Sequence, residues 1–184
     1  MAKLIYHIAI TLDNFIGDMD RNADDSIFLH EGDHVADFIS DIQEYNAVLM
    51  GGKTYEYGFQ FGLKPGEPGP YDMKHYIFSN TLQFESNDRV ELIKNNVIDF
   101  IQNLKMKESG KLWLCGGGEL AGSLIKHQLI DQVILKIYPI MLGSGISLFG
   151  RVKPCFNMEL VDTKQYSSGV VKAIYNIMYA KQVD

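Results

Sequence analysis

The chain has 184 residues, 46% hydrophobic and 22% charged, with a formal charge of -6 at pH 7. That length suits one domain over 1–184, burying roughly 70% of the surface an unfolded chain exposes, and the composition excludes disorder. The acidic balance argues against a nucleic-acid partner, and two cysteines, Cys115 and Cys155, are too few for a disulfide scaffold and point to a reduced, cytoplasmic chain.

Residues 4–10 form a short apolar, partly β-branched run and predict a buried strand. His7 and Asp13 cut the apolar stretch of residues 1–15, which reads as neither a signal peptide nor a membrane span. Residues 17–33 are rich in Asp, Asn and Gly and predict a long loop of the kind that covers sites. Val35, Phe38, Ile39 and Ile42 recur at helical spacing, which predicts an amphipathic helix over 33–44 with Asp33 as N-cap. Residues 47–50 predict a buried strand running into Gly51-Gly52, and 58–70 predict a loop punctuated by Gly and Pro. Strands are expected at 75–79 and 90–93, then a helix from Val97 through Leu104 that ends near Gly110. A strand at 111–115, a helix at 119–127 and a strand at 133–138 follow. Two β-type runs, 157–164 and 170–179, flank Ser167-Ser168-Gly169 and predict a hairpin. Strands alternate with helices as far as residue 138, and two strands then adjoin. This order predicts a three-layer α/β fold, with a mostly parallel central sheet, helices on both faces and an antiparallel C-terminal edge hairpin.

Two stretches repeat one arrangement of apolar strand, glycines and helix start: VLMGGKTY at 48–55 and LWLCGGGEL at 112–120. Glycine lets the backbone turn sharply and lets a ligand reach the main chain. Unpaired N–H groups at a helix start attract phosphate. Either turn alone has a structural explanation as a tight connection. Together, with Lys53 and Thr54 at the first, they point to one ligand with two phosphate groups. Gly52-Lys53-Thr54 resembles the end of a P-loop, but Ala47 stands where that loop needs its first glycine. Gly116, Gly118 and Ala121 satisfy G-x-G-x-x-A, but no acidic residue follows about 20 positions later to hold a ribose. His7, His30, His34, His75 and His127 lack metal spacing and read as structural or solvated.

Five pieces now stand in order: 11–17 (TLDNFIG), 50–56 (MGGKTYE), 76–82 (YIFSNTL), 115–120 (CGGGEL), and 129–149 with its YPIMLGSGISLF end. Together they resemble the dihydrofolate reductase-like superfamily, and within it the reductase domain of the riboflavin-biosynthesis deaminase/reductase and its stand-alone relatives. The resemblance implies a homodimeric NADPH-dependent reductase of a small heterocyclic substrate, aminopyrimidine- or pterin-like. It assigns Gly51, Gly52, Lys53 and Thr54 to the adenosine-side phosphates, and Ser79, Asn80 and Thr81 to the 2′-phosphate region. Gly116, Gly117 and Gly118, with Glu119 and Leu120 after them, would line the pyrophosphate and nicotinamide. A cis bond is expected at Gly116-Gly117. Ala9, Ile16 and Gly17 would lie near the nicotinamide, and the 17–33 loop would be a mobile flap. Three positions depart from the pattern. Gly52 replaces a common Arg, Val35 replaces the acid of dihydrofolate reductases, and Ala121 replaces a Tyr. Asp33 and Asp37 are the nearest acids and the candidates to deliver a proton, against a helix cap and a solvated face. These departures also motivate the alternative of a nucleotide-binding module without catalysis.

Overall fold

Strand β1 (Lys3–Thr11) is the axis of the molecule. Successive side chains of a strand point to opposite faces. Leu4 and Tyr6 therefore enter one core cluster, and Ile5 enters the other. The computed structural model describes residues 1–19 and 27–179, so part of the 17–33 loop, and of the flap expected there, lies outside the described residues.

Eight strands form one sheet in the order β4-β3-β2-β5-β1-β6-β8-β7. These are β2 (Ala47–Gly51), β3 (Lys74–Phe78), β4 (Val90–Ile93), β5 (Lys111–Gly116), β6 (Gln132–Tyr138), β7 (Asn157–Gln165) and β8 (Val171–Met178). β1 to β6 all run parallel, while β8 is antiparallel to both β6 and β7. The expected parallel sheet with its antiparallel edge hairpin is what forms.

Helices cover both faces. On one face, Ile101 and Leu104 of α3 (Val97–Lys107) and Leu124 and Ile125 of α4 (Gly118–Lys126) pack on Leu4, Tyr6, Leu49 and Leu114. On the other, Phe38 and Ile42 of α1 (Asp33–Ile42), with Tyr55 of α2 (Gly52–Tyr57), pack on Ile5, Val48 and Trp113. A 3-10 turn, Gly58–Phe61, starts the loop expected over 58–70. The capping role expected of Asp33 falls to its neighbour. Asp33 is the first helical residue rather than the N-cap; Gly32 holds that place at φ 123, which suits glycine. Among the described residues, no helix is long and apolar enough to cross a membrane.

Asp131, just before β6, ties three elements together. It accepts hydrogen bonds from the Leu4 N–H at 2.6 Å and from Lys105 Nζ at 2.6 Å. Lys105 is only 6% exposed, and it also donates to the Leu129 carbonyl at 2.7 Å. Removing one partner of such a pair strands the other charge away from water. Asp131→Ala is expected to cost about 2–3 kcal/mol, read by urea unfolding, because Asp131 itself is partly solvated. A cost no larger than that of an exposed substitution would contradict this role.

Candidate functional site

β2 and β5 are neighbours, and each ends in a glycine turn. Their pairing slips between Leu49 and Met50, so Leu49 faces Leu114 and Met50 faces Gly116. The two turns touch. A Cβ on Gly51 would lie 3.6 Å from Gly117 N and 3.7 Å from Gly116 O. Thr54 Oγ1 would stand 3.1 Å from a Cβ on Gly117. The Gly116-Gly117 peptide is cis, where the resemblance places it, and Gly116 takes φ 137. Leu120, half-buried, has its Cβ 3.8 Å from where a Cβ on Gly51 would stand.

The first amides of α4 have no acceptor within their own helix, and Gly117 offers no side chain to cap them. Their dipoles favour a negative charge at that end. Gly118 has a different reason to be glycine. A Cβ there would run into the Ser147 carbonyl and the Gly150 backbone, so this residue lets α4 press against 147–150. Glu119 is exposed and faces Arg151 at 3.6 Å. Lys53 is exposed on α2, and Thr54 is half-buried.

Gly52 is explained by its neighbour. A Cβ there would lie 2.6 Å from Ser79 Oγ and 2.8 Å from Ser79 Cβ. Ser79 thus occupies the space into which a longer residue at 52 would start. Its hydroxyl accepts N–H bonds from Thr81 at 3.2 Å and Leu82 at 3.1 Å. That fixes the turn carrying Asn80 and Thr81, both exposed.

A gap opens beside these turns. β1 pairs with β5 only as far as Tyr6 and Leu114, yet β1 continues beside β6 to Thr11. The His7 carbonyl, on the β5 side, accepts the Trp113 indole N–H at 2.9 Å. Strand alternation turns the N–H and C=O of Ala9 to that same side, past the end of the pairing. Beyond Ala9, Phe15 bridges to Ser147, and Ile16 N–H and Gly17 O pair with Ile146. Ile16 and Gly17 therefore flank the far end of β1.

Asp33 and Asp37 are not brought to the glycine turns. Asp33 accepts the Ser167 N–H at 3.0 Å, so it anchors the C-terminal hairpin. Asp37 binds Lys164 at 2.6 Å, Lys172 at 2.5 Å and the Tyr166 hydroxyl. These partners belong to β7, β8 and their turn, and β8 lies three strand spacings, roughly 14 Å, from β5. Burial would raise the Asp37 carboxyl. The hydrogen bonds from Lys164, Lys172 and Tyr166 outweigh it and hold the group well below the usual carboxylate range. Asp37 is not a solvated face, and Asp33 is not the N-cap, although it also accepts the His34 N–H at 3.1 Å at the helix start. Both are ties between α1 and the hairpin.

Three residues on the α1 side of the gap escaped the sequence reading as site residues. His7 is 1% exposed, with Nδ1 3.1 Å from the Tyr45 hydroxyl. Burial pushes the Cys115 thiol up to about 12, so it stays neutral and packs. Lys136 is 7% exposed beneath the Phe38 ring. The available signal was a charge or imidazole inside an otherwise apolar strand, in IYHIA and VILKIY.

The family described as RibD C-terminal domain matches residues 2–172. YyaP of Bacillus subtilis (strain 168) is 30% identical over 182 residues, covering 95% of this chain and 94% of that protein. YwjB of the same organism is 32% identical over 173 residues, covering 91% and 94%. Both are described as uncharacterized. Among solved structures, a pyrimidine reductase-like protein of Corynebacterium diphtheriae superimposes with a TM-score of 0.72 at 11% identity, covering 97% of this chain and 93% of that one. That likeness speaks for the fold.

The Asp37 cluster gives a pH prediction. A carboxyl lowered on folding contributes stability above its unfolded value, near pH 4, and loses it as pH falls towards the depressed folded value. Wild type should lose stability from about pH 4 downwards. Asp37→Asn should start about 2–4 kcal/mol lower at neutral pH and fall less steeply in acid, read by urea unfolding. Parallel curves for the two proteins would contradict the assignment.

Proposed function

The chain belongs to the RibD C-terminal domain family, and from that membership we propose that it is an NADPH-dependent reductase of a small heterocyclic, aminopyrimidine- or pterin-like substrate. The observation that carries the reading is the contact between the Gly51 and Gly117 turns beside the unpaired end of β1. NADPH, when bound, supplies hydride. The chain's own residues have to bind, orient and exclude water.

Bare glycine backbone and the start of α4 suit a pyrophosphate, which needs close approach and N–H donors. Thr54 adds a hydroxyl at the same place, and Lys53 adds the cation of the first turn. Ser79, Asn80 and Thr81 offer donors at the end of β3 for the 2′-phosphate region. Ala9 presents an N–H and a C=O in the gap, the complement of a carboxamide. Ile16 and Gly17 border that end. Asp33 and Asp37 take no part in proton delivery on this reading, because both are bonded to the hairpin. The same engagement favours a second reading, a nucleotide-binding module without catalysis, and turnover separates the two.

Nicotinamide fluorescence tests the proposal. NADPH should bind saturably, and Gly117→Val should weaken binding at least about tenfold, since its side chain would crowd Thr54 and the ligand. Absence of binding at about 1 mM NADPH, only some 4 kcal/mol of affinity, would overturn it.

A further inference from the structure

Under α1, three lysines meet two aspartates. Asp37 holds Lys164 and Lys172, and Asp41 holds Lys172 at 2.8 Å. Lys136 is left out. It stands opposite Lys172 across β6 and β8, and opposite Ala9 across β6 and β1. No described residue hydrogen-bonds or ion-pairs with its ammonium, which lies 3.7 Å from the centre of the Phe38 ring. An aromatic face restores only part of the hydration a buried cation loses. Like charges side by side on one sheet face add to the cost.

A second unspent group adjoins the first. Among the described residues, His7 Nε2 is buried without a hydrogen-bond partner. The Tyr45 hydroxyl can donate to Nδ1, which puts the ring proton on Nε2. The His7 ring meets Phe38 edge-on at 5.2 Å, so both unspent groups border one aromatic ring. Ala9, small and half-buried, lies between His7 and the gap beside β5.

We propose that Lys136, with His7 beside it, holds a negatively charged oxygen of the substrate, so that the gap at Ala9 selects a small anionic acceptor. The inference rests on the gap at Ala9 being where hydride is delivered. Among the described residues, the groups that face Lys136 are His7 on β1, Cys115 on β5, Lys172 on β8, and Asp37 and Asp41 on α1. Both carboxylates are already bound by other lysines. Burial, and then Lys136, push His7 down to about 3, so it is neutral, as is Cys115. Among the described residues, three ammonium groups against two carboxylates leave one positive charge for the substrate to balance. A carboxylate and an ionised ring oxygen share the required chemistry. Desolvation pushes Lys136 down to about 8 against the pull of Asp41, so the charge is present at pH 7 and is lost as pH rises past 8.

Calorimetric titration tests this with matched flat probes: benzoate against benzamide, and orotate against uracil. At pH 7 the wild type should bind at least one anion about tenfold or more tightly than its neutral partner, as a charge-assisted contact requires. For benzoate against benzamide that preference should shrink between pH 7 and pH 9.5, and for either pair it should disappear at pH 7 in Lys136→Met. Lys136→Gln is the second neutral variant should Met fail to fold, and the wild-type pH series needs neither. Trp113, the only tryptophan, lies 5.7 Å from Phe38 and should report the anion by its emission. No anion preference in the wild type, or a preference that survives loss of the Lys136 charge, overturns the inference. An NADPH titration of the same samples separates the readings. NADPH binding without anion preference removes only this inference, and anion preference without NADPH binding removes the reductase reading while leaving an anion site at Lys136.

Discussion

Two glycine turns, each closing a strand of the sheet, lie against each other here. Met50 faces Gly116 in register, and the next residue, Gly51, stands where a Cβ would be in ordinary contact with the Gly117 amide. A side chain at Gly116 would be strained by its positive φ, although Ile8 and Thr54 would be only in ordinary contact with its Cβ. β5 turns into α4 at this level and no longer pairs with β1, which leaves the Ala9 backbone beside a gap. The start of α4, the Thr54 hydroxyl and that gap all take their positions from this one contact. The α4 glycines that follow, Gly118 and Gly122, serve the packing of 147–152 instead.

The charged side of the molecule has a different logic. Asp33, Asp37 and Asp41 all belong to α1, and Asp33 and Asp37 fasten the helix to the hairpin while Asp41 binds Lys172 of β8. Fastening α1 this way sets Phe38 over Lys136 and beside His7 and Trp113. The covering helix thus contributes a ring rather than a carboxylate to the α1 side of the gap. The consequence, among the described residues, is an uneven charge balance, with Lys136 lacking an ion-pair partner in a place that burial makes costly for a cation.

Much of this was legible in the chain itself. Strand and helix order followed from apolar periodicity, and the hairpin from Ser167-Ser168-Gly169 between two β-type runs. The two glycine turns were found because their strand–glycine–helix pattern is local. The role of Asp33 and Asp37 was not legible, because their partners lie about 130 positions away on the last hairpin and no local pattern records such a pairing. Lys136 was missed for a related reason. A lysine in VILKIY can reach solvent or stay buried, and only the neighbours on β8 and α1 decide which. Gly52 reads in sequence as a missing cation, whereas in the fold it is the space that Ser79 fills.

Backbone amide hydrogen exchange with and without NADPH tests the central claim most directly, because it reads the two turns separately. The account predicts that NADPH slows exchange at residues 52–54 and 117–120 together, with Ala9 protected in the same titration. Protection confined to one turn, or lying away from both, would contradict it.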